Sequence, residues 1–314
     1  MKNNALGIVL SFYRKKYDFS QLQLCDGICS VATLSRIEAM NNEADSLTGE
    51  CLLGRLGKEL RSFELILNDE DYQIWQIRED IIKCMENRDY DEAETLLENY
   101  REITKTNNPV HEQFYLMYMV KLKIKQKASQ AELCELLFKA LVITKPDFNP
   151  DNECELLYNP TEIELILLLI KYEYEEWKDK NRKKLLLRML DYVKKIYSDK
   201  RGETTQIKIL DTLIEEYLKI EDDIKVLKYV DEAIKISAQS KGMNNIGELH
   251  FIKARAIEHY FSEKNAWENE RKRCMEECLM AYSVFRIMNN EQETEKLTKF
   301  CKEKLNWQIT ESGI

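Results

Sequence analysis

The chain is short of turn-forming residues, with nine Gly and four Pro in 314 positions. Sandwiches, barrels and other sheet-rich folds need more tight turns than these can supply, so the shortage argues against them. Histidine is scarcer, with three residues at His111, His250 and His259. A Cys–His or Ser–His nucleophile therefore has few possible bases. No Gly-rich phosphate loop or zinc-ligand spacing occurs either. No catalytic residue, metal or cofactor is expected, and the chain reads as a non-enzyme. Long apolar runs are also missing: the longest, Leu165–Ile170 beside Ile163, is far short of the ~20 residues that span a bilayer. The apolar stretch Ala5–Tyr13 runs directly into Arg14-Lys15-Lys16 without a small-residue cleavage site, so it reads as a helix and not a signal peptide. Nine irregularly spaced Cys do not form a secreted disulfide framework. A soluble, cytoplasmic protein without a membrane segment is expected.

What the chain does contain is 44% hydrophobic and 33% charged residues, the composition of a helical protein. Its net charge of −9 argues against wholesale coating of nucleic acid and leaves room for a local reader. Charge is unevenly spread: residues 1–67 hold eight Lys/Arg and eight Asp/Glu, so the remainder carries the whole excess. Gly7, Gly27, Gly49, Gly54 and Gly57 also fall in this first segment. Two compositions point to two domains, 1–67 and 68–314.

Five short helical stretches can be read between Ala5 and Leu67. The first, Ala5–Lys16, has Leu6, Val9, Leu10 and Tyr13 at helical spacing and ends at Asp18-Phe19. Ser20 is a suitable N-cap for Gln21–Asp26, and Gly27 a suitable stop. After Ile28-Cys29, Ser30 can cap a third helix, Val31–Ala39. Leu34 and Ile37 face inward there with Val31 at the margin, while Ala32, Thr33, Ser35 and Arg36 face outward. Two short helices joined by a tight turn suit a DNA major groove, where the start of the second helix meets base edges.

The stretch Leu24-Cys25-Asp26-Gly27-Ile28-Cys29-Ser30-Val31-Ala32-Thr33-Leu34-Ser35-Arg36-Ile37-Glu38 resembles the XRE (lambda-repressor-like) helix-turn-helix. It is most similar to the variant that opens the peptide-pheromone-responsive, quorum-sensing transcription regulators of Gram-positive bacteria, in which tetratricopeptide (TPR) repeats follow. The resemblance implies DNA contacts from Ser30, Val31, Ala32, Thr33, Ser35 and Arg36. It makes Gln21 the counterpart of a phosphate-contacting glutamine, and Arg14 with Glu38 an internal ion pair. The family's usual Asn-Gly after the final Glu is replaced by Ala39-Met40-Asn41.

From Asp71 onward the chain reads as paired amphipathic helices. First helices begin near Asp71, Pro109, Pro160, Thr204 and Asn244; second helices begin near Asp89, Ser129, Asp179, Asp222 and Asn269. The intervals of 38 to 51 residues indicate an α-solenoid. An insertion, Lys145–Asn159, and a final helix near Gln292–Leu305 complete the pattern. Tyr90-Asp91-Glu92-Ala93 and Asp231-Glu232-Ala233-Ile234 resemble the small-residue positions of a second TPR helix. The expected architecture is thus all-α, a helix-turn-helix bundle followed by a degenerate TPR solenoid.

Aligning Ala233 with the small residue of a TPR places Lys208, Asp211 and Glu215 on the concave side, with Leu210, Ile214 and Tyr217 inward. A looser register adds His250 and Lys171. Such a groove suits an extended peptide, and in the resembling family the effector is a short secreted peptide. The leading reading is a homodimeric, peptide-controlled DNA-binding regulator. The alternative is a TPR adaptor for a protein partner with a residual helix-turn-helix.

Overall fold

The computed structural model describes residues 5–59, 65–104, 108–150, 157–177, 179–197, 200–240, 245–264 and 266–309. Among them are fifteen helices and no strand. Four form the N-terminal head: α1 (Ala5–Lys16), α2 (Gln21–Cys25), α3 (Val31–Glu38) and α4 (Ser46–Arg55). Eleven follow: α5 (Asp69–Asn87), α6 (Tyr90–Ile103), α7 (Pro109–Lys125), α8 (Gln130–Thr144), α9 (Pro160–Lys171), α10 (Asp179–Ile196), α11 (Lys200–Leu218), α12 (Asp223–Ser240), α13 (Ile246–Glu263), α14 (Trp267–Ile287) and α15 (Glu291–Leu305). Most expected starts fall within a few residues of these. The fifth N-terminal stretch, the start at Asn244 and part of the Lys145–Asn159 insertion lie wholly or partly outside the described residues. By its contacts the chain divides into two compact units, 1–185 and 186–314, the division falling inside α10.

In the first unit the head closes over Leu10, Leu24, Leu34, Leu52 and Leu56, all fully buried. The backbones of α1 and α3 touch: a Cβ at Gly7 would lie 2.1 Å from the Ile37 carbonyl oxygen. Ser20 and Ser30 cap α2 and α3 as the sequence predicts, and Asp18 (φ 60°) and Gly27 (φ 66°) provide the left-handed turns. Helices α5 to α9 each pack against their chain neighbours, the nearest-neighbour arrangement of a helical-repeat array.

Helix α4 joins the head to these repeats, packing on α5 and α7 as well as on α1 and α2. At its start, Asp45 accepts from the Thr48 N–H (2.9 Å) and from Asn108 Nδ2 (3.0 Å), and lies 3.2 Å from His111 Nε2. The other His111 nitrogen sits 2.5 Å from the Tyr100 hydroxyl. Burial pushes the Asp45 carboxyl up, but the bonds from His111 and Thr48 outweigh it and hold the group at about 2. Ser46 donates its backbone N–H (3.1 Å) and hydroxyl (2.9 Å) to Asp71. One turn on, Arg78 forks onto Glu50 at 2.9 and 3.0 Å.

The end of α4 carries Arg55, whose side chain is completely buried. It donates to the carbonyls of Leu24 (3.0 Å), Asp26 (2.6 Å) and Thr144 (2.8 Å), and to both oxygens of Glu162 (2.5 and 3.3 Å). All five guanidinium N–H groups thus have an acceptor. Glu162, equally buried at the first turn of α9, also accepts from the Thr144 hydroxyl (2.8 Å) and the Asn159 N–H (2.8 Å). Lys145 lies in the same locus, and burial brings its ammonium down to about 8 despite the nearby Glu162. The contact leaves no room at the turn: a Cβ on Gly27 would lie 2.4 Å from the Thr144 oxygen.

In the second unit α11 to α15 stack in chain order. Buried Phe251, Ala254 and Ile257 of α13 pack with Cys274 and Cys278 of α14 and with Leu297 and Cys301 of α15. Cys301 reaches this cluster from a different helix than Cys274 and Cys278. Thiol–thiol hydrogen bonds with Cys274 and Cys301, together with burial, hold Cys278 as the neutral thiol.

Gly27→Ala is expected to destabilise the full chain by more than about 1 kcal/mol, because it combines a positive φ with a backbone clash. A thermal melt that matches the parent would show that the turn can draw away from Thr144.

Candidate functional site

The third helix presents a divided surface. Leu34 and Ile37 are buried, whereas Ala32, Ser35 and Arg36 are exposed and Val31 is 40% exposed. This is the register expected from the sequence. Thr33 is half-buried because the cap draws it in: Ser30 Oγ accepts the Thr33 N–H at 3.0 Å and lies 2.8 Å from the Thr33 hydroxyl. Ser30 therefore fixes the start of α3 and orients Thr33. At the other end the Arg36 carbonyl accepts from the N–H groups of Asn41 (2.8 Å) and Asn42 (3.2 Å). Met40 takes φ 62° there. The left-handed turn that Asn-Gly would favour thus forms with a methionine in it.

Arg14 and Glu38 make a two-point contact, Nε to Oε1 at 2.6 Å and Nη2 to Oε2 at 2.7 Å. The remaining arm of Arg14 donates to the Phe19 carbonyl at 3.0 Å. Gln21 Nε2 joins the cluster, donating to Glu38 Oε2 at 2.8 Å. Burial raises the Glu38 carboxyl, but the bonds from Arg14 and Gln21 prevail and keep it below the ordinary carboxylate value. One carboxylate therefore ties α1 and α2 to the last turn of α3. Gln21 contributes one amide N–H to this tie and has a second for another acceptor.

Cys25 and Cys29 flank the turn. Burial raises both thiols, Cys29 to about 11, so neither is a thiolate at neutral pH. Among the described residues no three His, Cys, Asp or Glu side chains are placed to hold a metal ion. No helix among them is long and apolar enough to cross a membrane.

The expected ligand residues fall in both units. Lys171 is exposed at the last turn of α9, in the first unit. The others belong to the second unit. On α11, Lys208 and Glu215 are exposed, and Leu210, Ile214 and Tyr217 pack inward as expected, joined by Ile209 and Leu213. Asp211 is partly buried and accepts from Asn245 Nδ2 at 2.8 Å. Burial pushes its carboxyl up to about 6, and the nearby Glu215 and Glu248 add to the shift against the Asn245 bond. Glu248 is raised in turn by burial and by Glu293. Two carboxylates, Glu215 and Glu248, act on Asp211 here, and Glu248 of α13 and its N-cap Asn245 join the locus, which the sequence register did not single out.

His250 lies elsewhere. It is buried with Nδ1 2.5 Å from Glu277 Oε2 on α14. Lys253, one turn on, pairs with Glu277 at 2.6 Å and with Asp231 of α12 at 2.8 Å. The face of α13 that carries His250 is therefore packed against neighbouring helices. An i,i+3 pair on a helix serves a packed seam as readily as an open groove, so helical register alone does not distinguish the two.

No family model matches the chain, and no curated protein matches it in sequence. Its fold does match solved structures. PlcR of Bacillus thuringiensis, solved in complex with the peptide PapR7 and DNA, aligns with a TM-score of 0.53 at 18% identity, over 93% of this chain and 98% of that one. The apo form of PlcR aligns at 0.55 and 16% identity, over 94% and 98%. The apo competence regulator ComR from Streptococcus vestibularis aligns more loosely, at 0.48 and 17% identity, over 96% and 98%. The likeness to PlcR extends through nearly all of both chains, so the order of head and repeats is a shared fold.

Two outcomes follow from this geometry. Glu38→Ala should lower the melting temperature of the full chain, because Arg14 loses both its charged bonds at a cost of about 1–3 kcal/mol. Unchanged stability would remove Glu38 from its structural role. Asp211 has a folded pKa raised above its ordinary 3.8, so its favourable contribution is complete only below that value and is lost as pH rises through about 6. Asp211→Asn should therefore stabilise the protein at pH 7 by up to about 2–3 kcal/mol, with the gain shrinking toward pH 4. Denaturant titrations of both proteins across pH 4–8 measure this, and a gain independent of pH would contradict it.

Proposed function

We propose that the chain is a sequence-specific DNA-binding transcription regulator whose TPR-like helices bind a short signalling peptide. It acts as a cytoplasmic homodimer and not as an enzyme, with residues 1–67 reading DNA and residues 68–314 receiving the effector. The observation that carries the reading is α3: a capped helix with a buried Leu34/Ile37 edge and an outward Ala32, Ser35, Arg36 face. It belongs to a head-and-repeat fold shared with a protein solved on DNA and peptide. Arg36 is the side chain suited to a guanine edge, by two parallel hydrogen bonds. Thr33 lies closer to the cap and reads a neighbouring base, while Ser30, Val31, Ala32 and Ser35 shape the contact. Gln21 directs its second amide N–H to a phosphate oxygen.

For the effector, Asp211 is the strongest candidate. A carboxylate held up to about 6 by burial and by like charges gains most from a cation placed beside it. A peptide amino terminus or basic side chain supplies one, with Glu215 and Lys208 on the same helix as outlying contacts. His250 is paired with Glu277 of α14.

The test uses the full chain, because α4 is buried against α5 and α7 and a cut at residue 67 would expose it. Duplexes selected from a random-sequence pool should be shifted by the parent, and Arg36→Ala should weaken that binding by about 1–3 kcal/mol with the fold intact. Calorimetry against host-derived short peptides should show binding that Lys208→Ala with Asp211→Ala weakens. Failure to select any duplex, together with tight binding of a folded protein, would favour the adaptor reading.

A further inference from the structure

Arg55 holds the helix and the turn that lead into the reading helix, without touching that helix itself. Its Nη1 holds the Leu24 and Asp26 carbonyls, the last turn of α2 and the entry to the turn that leads into α3. Its Nη2 and Nε hold Thr144 and Glu162, which belong to the repeats. The guanidinium is fully buried, so it cannot reach a phosphate. A guanidinium stays charged at any physiological pH and presents its donors in a fixed planar fork. Carbonyls of the turn and a carboxylate of the repeats are therefore fixed relative to one another by a single rigid group. Gly27 seated on the Thr144 carbonyl removes the slack that a side chain at the turn would introduce.

We propose that Arg55 is a positioning residue for DNA reading, clamping the helix-turn-helix turn to Glu162 so that the repeats, not a flexible linker, set the direction in which α3 points. The inference rests on the homodimeric regulator proposed above. In a dimer, the direction of each α3 fixes which separation of half-sites both heads can occupy. One base pair of altered spacing displaces a half-site along the duplex and rotates it by about a tenth of a helical turn. A clamped head cannot follow that change, whereas a released one can.

The experiment compares the full-length parent with Arg55→Met/Glu162→Leu, which replaces the buried ions by apolar groups, an exchange often neutral or stabilising for the fold. Glu162→Gln is the second variant, keeping the shape of the acid while removing its charge. Arg55→Lys offers three donors in place of the planar fork and should not rescue. The probe is a duplex selected by the parent from a random pool, then remade with its half-sites one and two base pairs closer or farther apart.

The parent should lose about tenfold or more in affinity when the spacing changes, the order of a mismatched base pair. The double variant, folded by circular dichroism and thermal melt, should bind all spacings within about threefold, with the parent's salt slope because no phosphate contact is lost. Should the double variant fail to fold, Glu162→Gln takes its place and must show the same direction of change. A folded variant that keeps the parent's spacing preference would overturn the clamp alone, as would a fall of about one in the salt slope, which would mark Arg55 as a phosphate contact. A parent that selects no duplex, or only single half-sites, would instead overturn the dimeric-reader function and the clamp with it.

Discussion

A guanidinium sealed from water is the constraint around which the first unit is arranged. Arg55 cannot shed its proton as a buried lysine can, so every donor must meet an acceptor inside the protein. The acceptors come from three directions: the end of α2, the end of α8 and the start of α9. Glu162 then needs its own partners, and the Asn159 N–H and Thr144 hydroxyl provide them. Thr144 is steadied in turn by Gln113, which donates to its hydroxyl at 2.6 Å and to the Ala140 carbonyl at 3.0 Å. The head can meet these repeats in few other ways without stranding a charge. Lys145 illustrates the alternative response. Its environment opposes charging, and it answers by a lowered pKa rather than by a full shell of partners.

The helix-turn-helix was legible because what defines it is local. Ser20, Gly27 and Ser30 act on residues within three or four positions, and the Leu34/Ile37 edge is a helical period. The caps at Asn108, Ser129 and Asn159 are local in the same way, and Pro109 and Pro160 at helix starts follow from the missing proline N–H. The seam between head and repeats was not legible. Arg55 and Glu162, Asp45 and His111, and Ser46 and Asp71 lie far apart in the chain, and one sequence contains no signal that pairs them. In the sequence His111 stands out only as one of few histidines, yet it bridges Tyr100 and the cap of α4. The ligand register is bounded in a related way. A period of 3.6 shows which residues share a face, but whether that face meets solvent, as for Lys208, or another helix, as for His250, depends on neighbours.

Two kinds of rigidity coexist around α3. Inside the head, Glu38 collects Arg14 and Gln21 and so fixes the three short helices to one another. Outside it, α4 fixes the head to the repeats along its whole length, with Asp45 at the start, Glu50 in the middle and Arg55 at the end. The exposed face of α3 takes part in neither system. Its side chains are free for an external partner while its backbone is held from both sides.

The Arg55–Glu162 pair also has a consequence in time. Its members are 107 residues apart in the chain. At a synthesis rate of about 5–20 residues per second, several seconds separate the emergence of the arginine from that of its acid. The helices of the head can coil as soon as they leave the ribosome, since their caps are close at hand. Their final seat does not exist until α9 has been made. A nascent or prematurely terminated chain therefore lacks the surface that completes its own N-terminus, and the reading end is finished only once a good part of the repeats has folded.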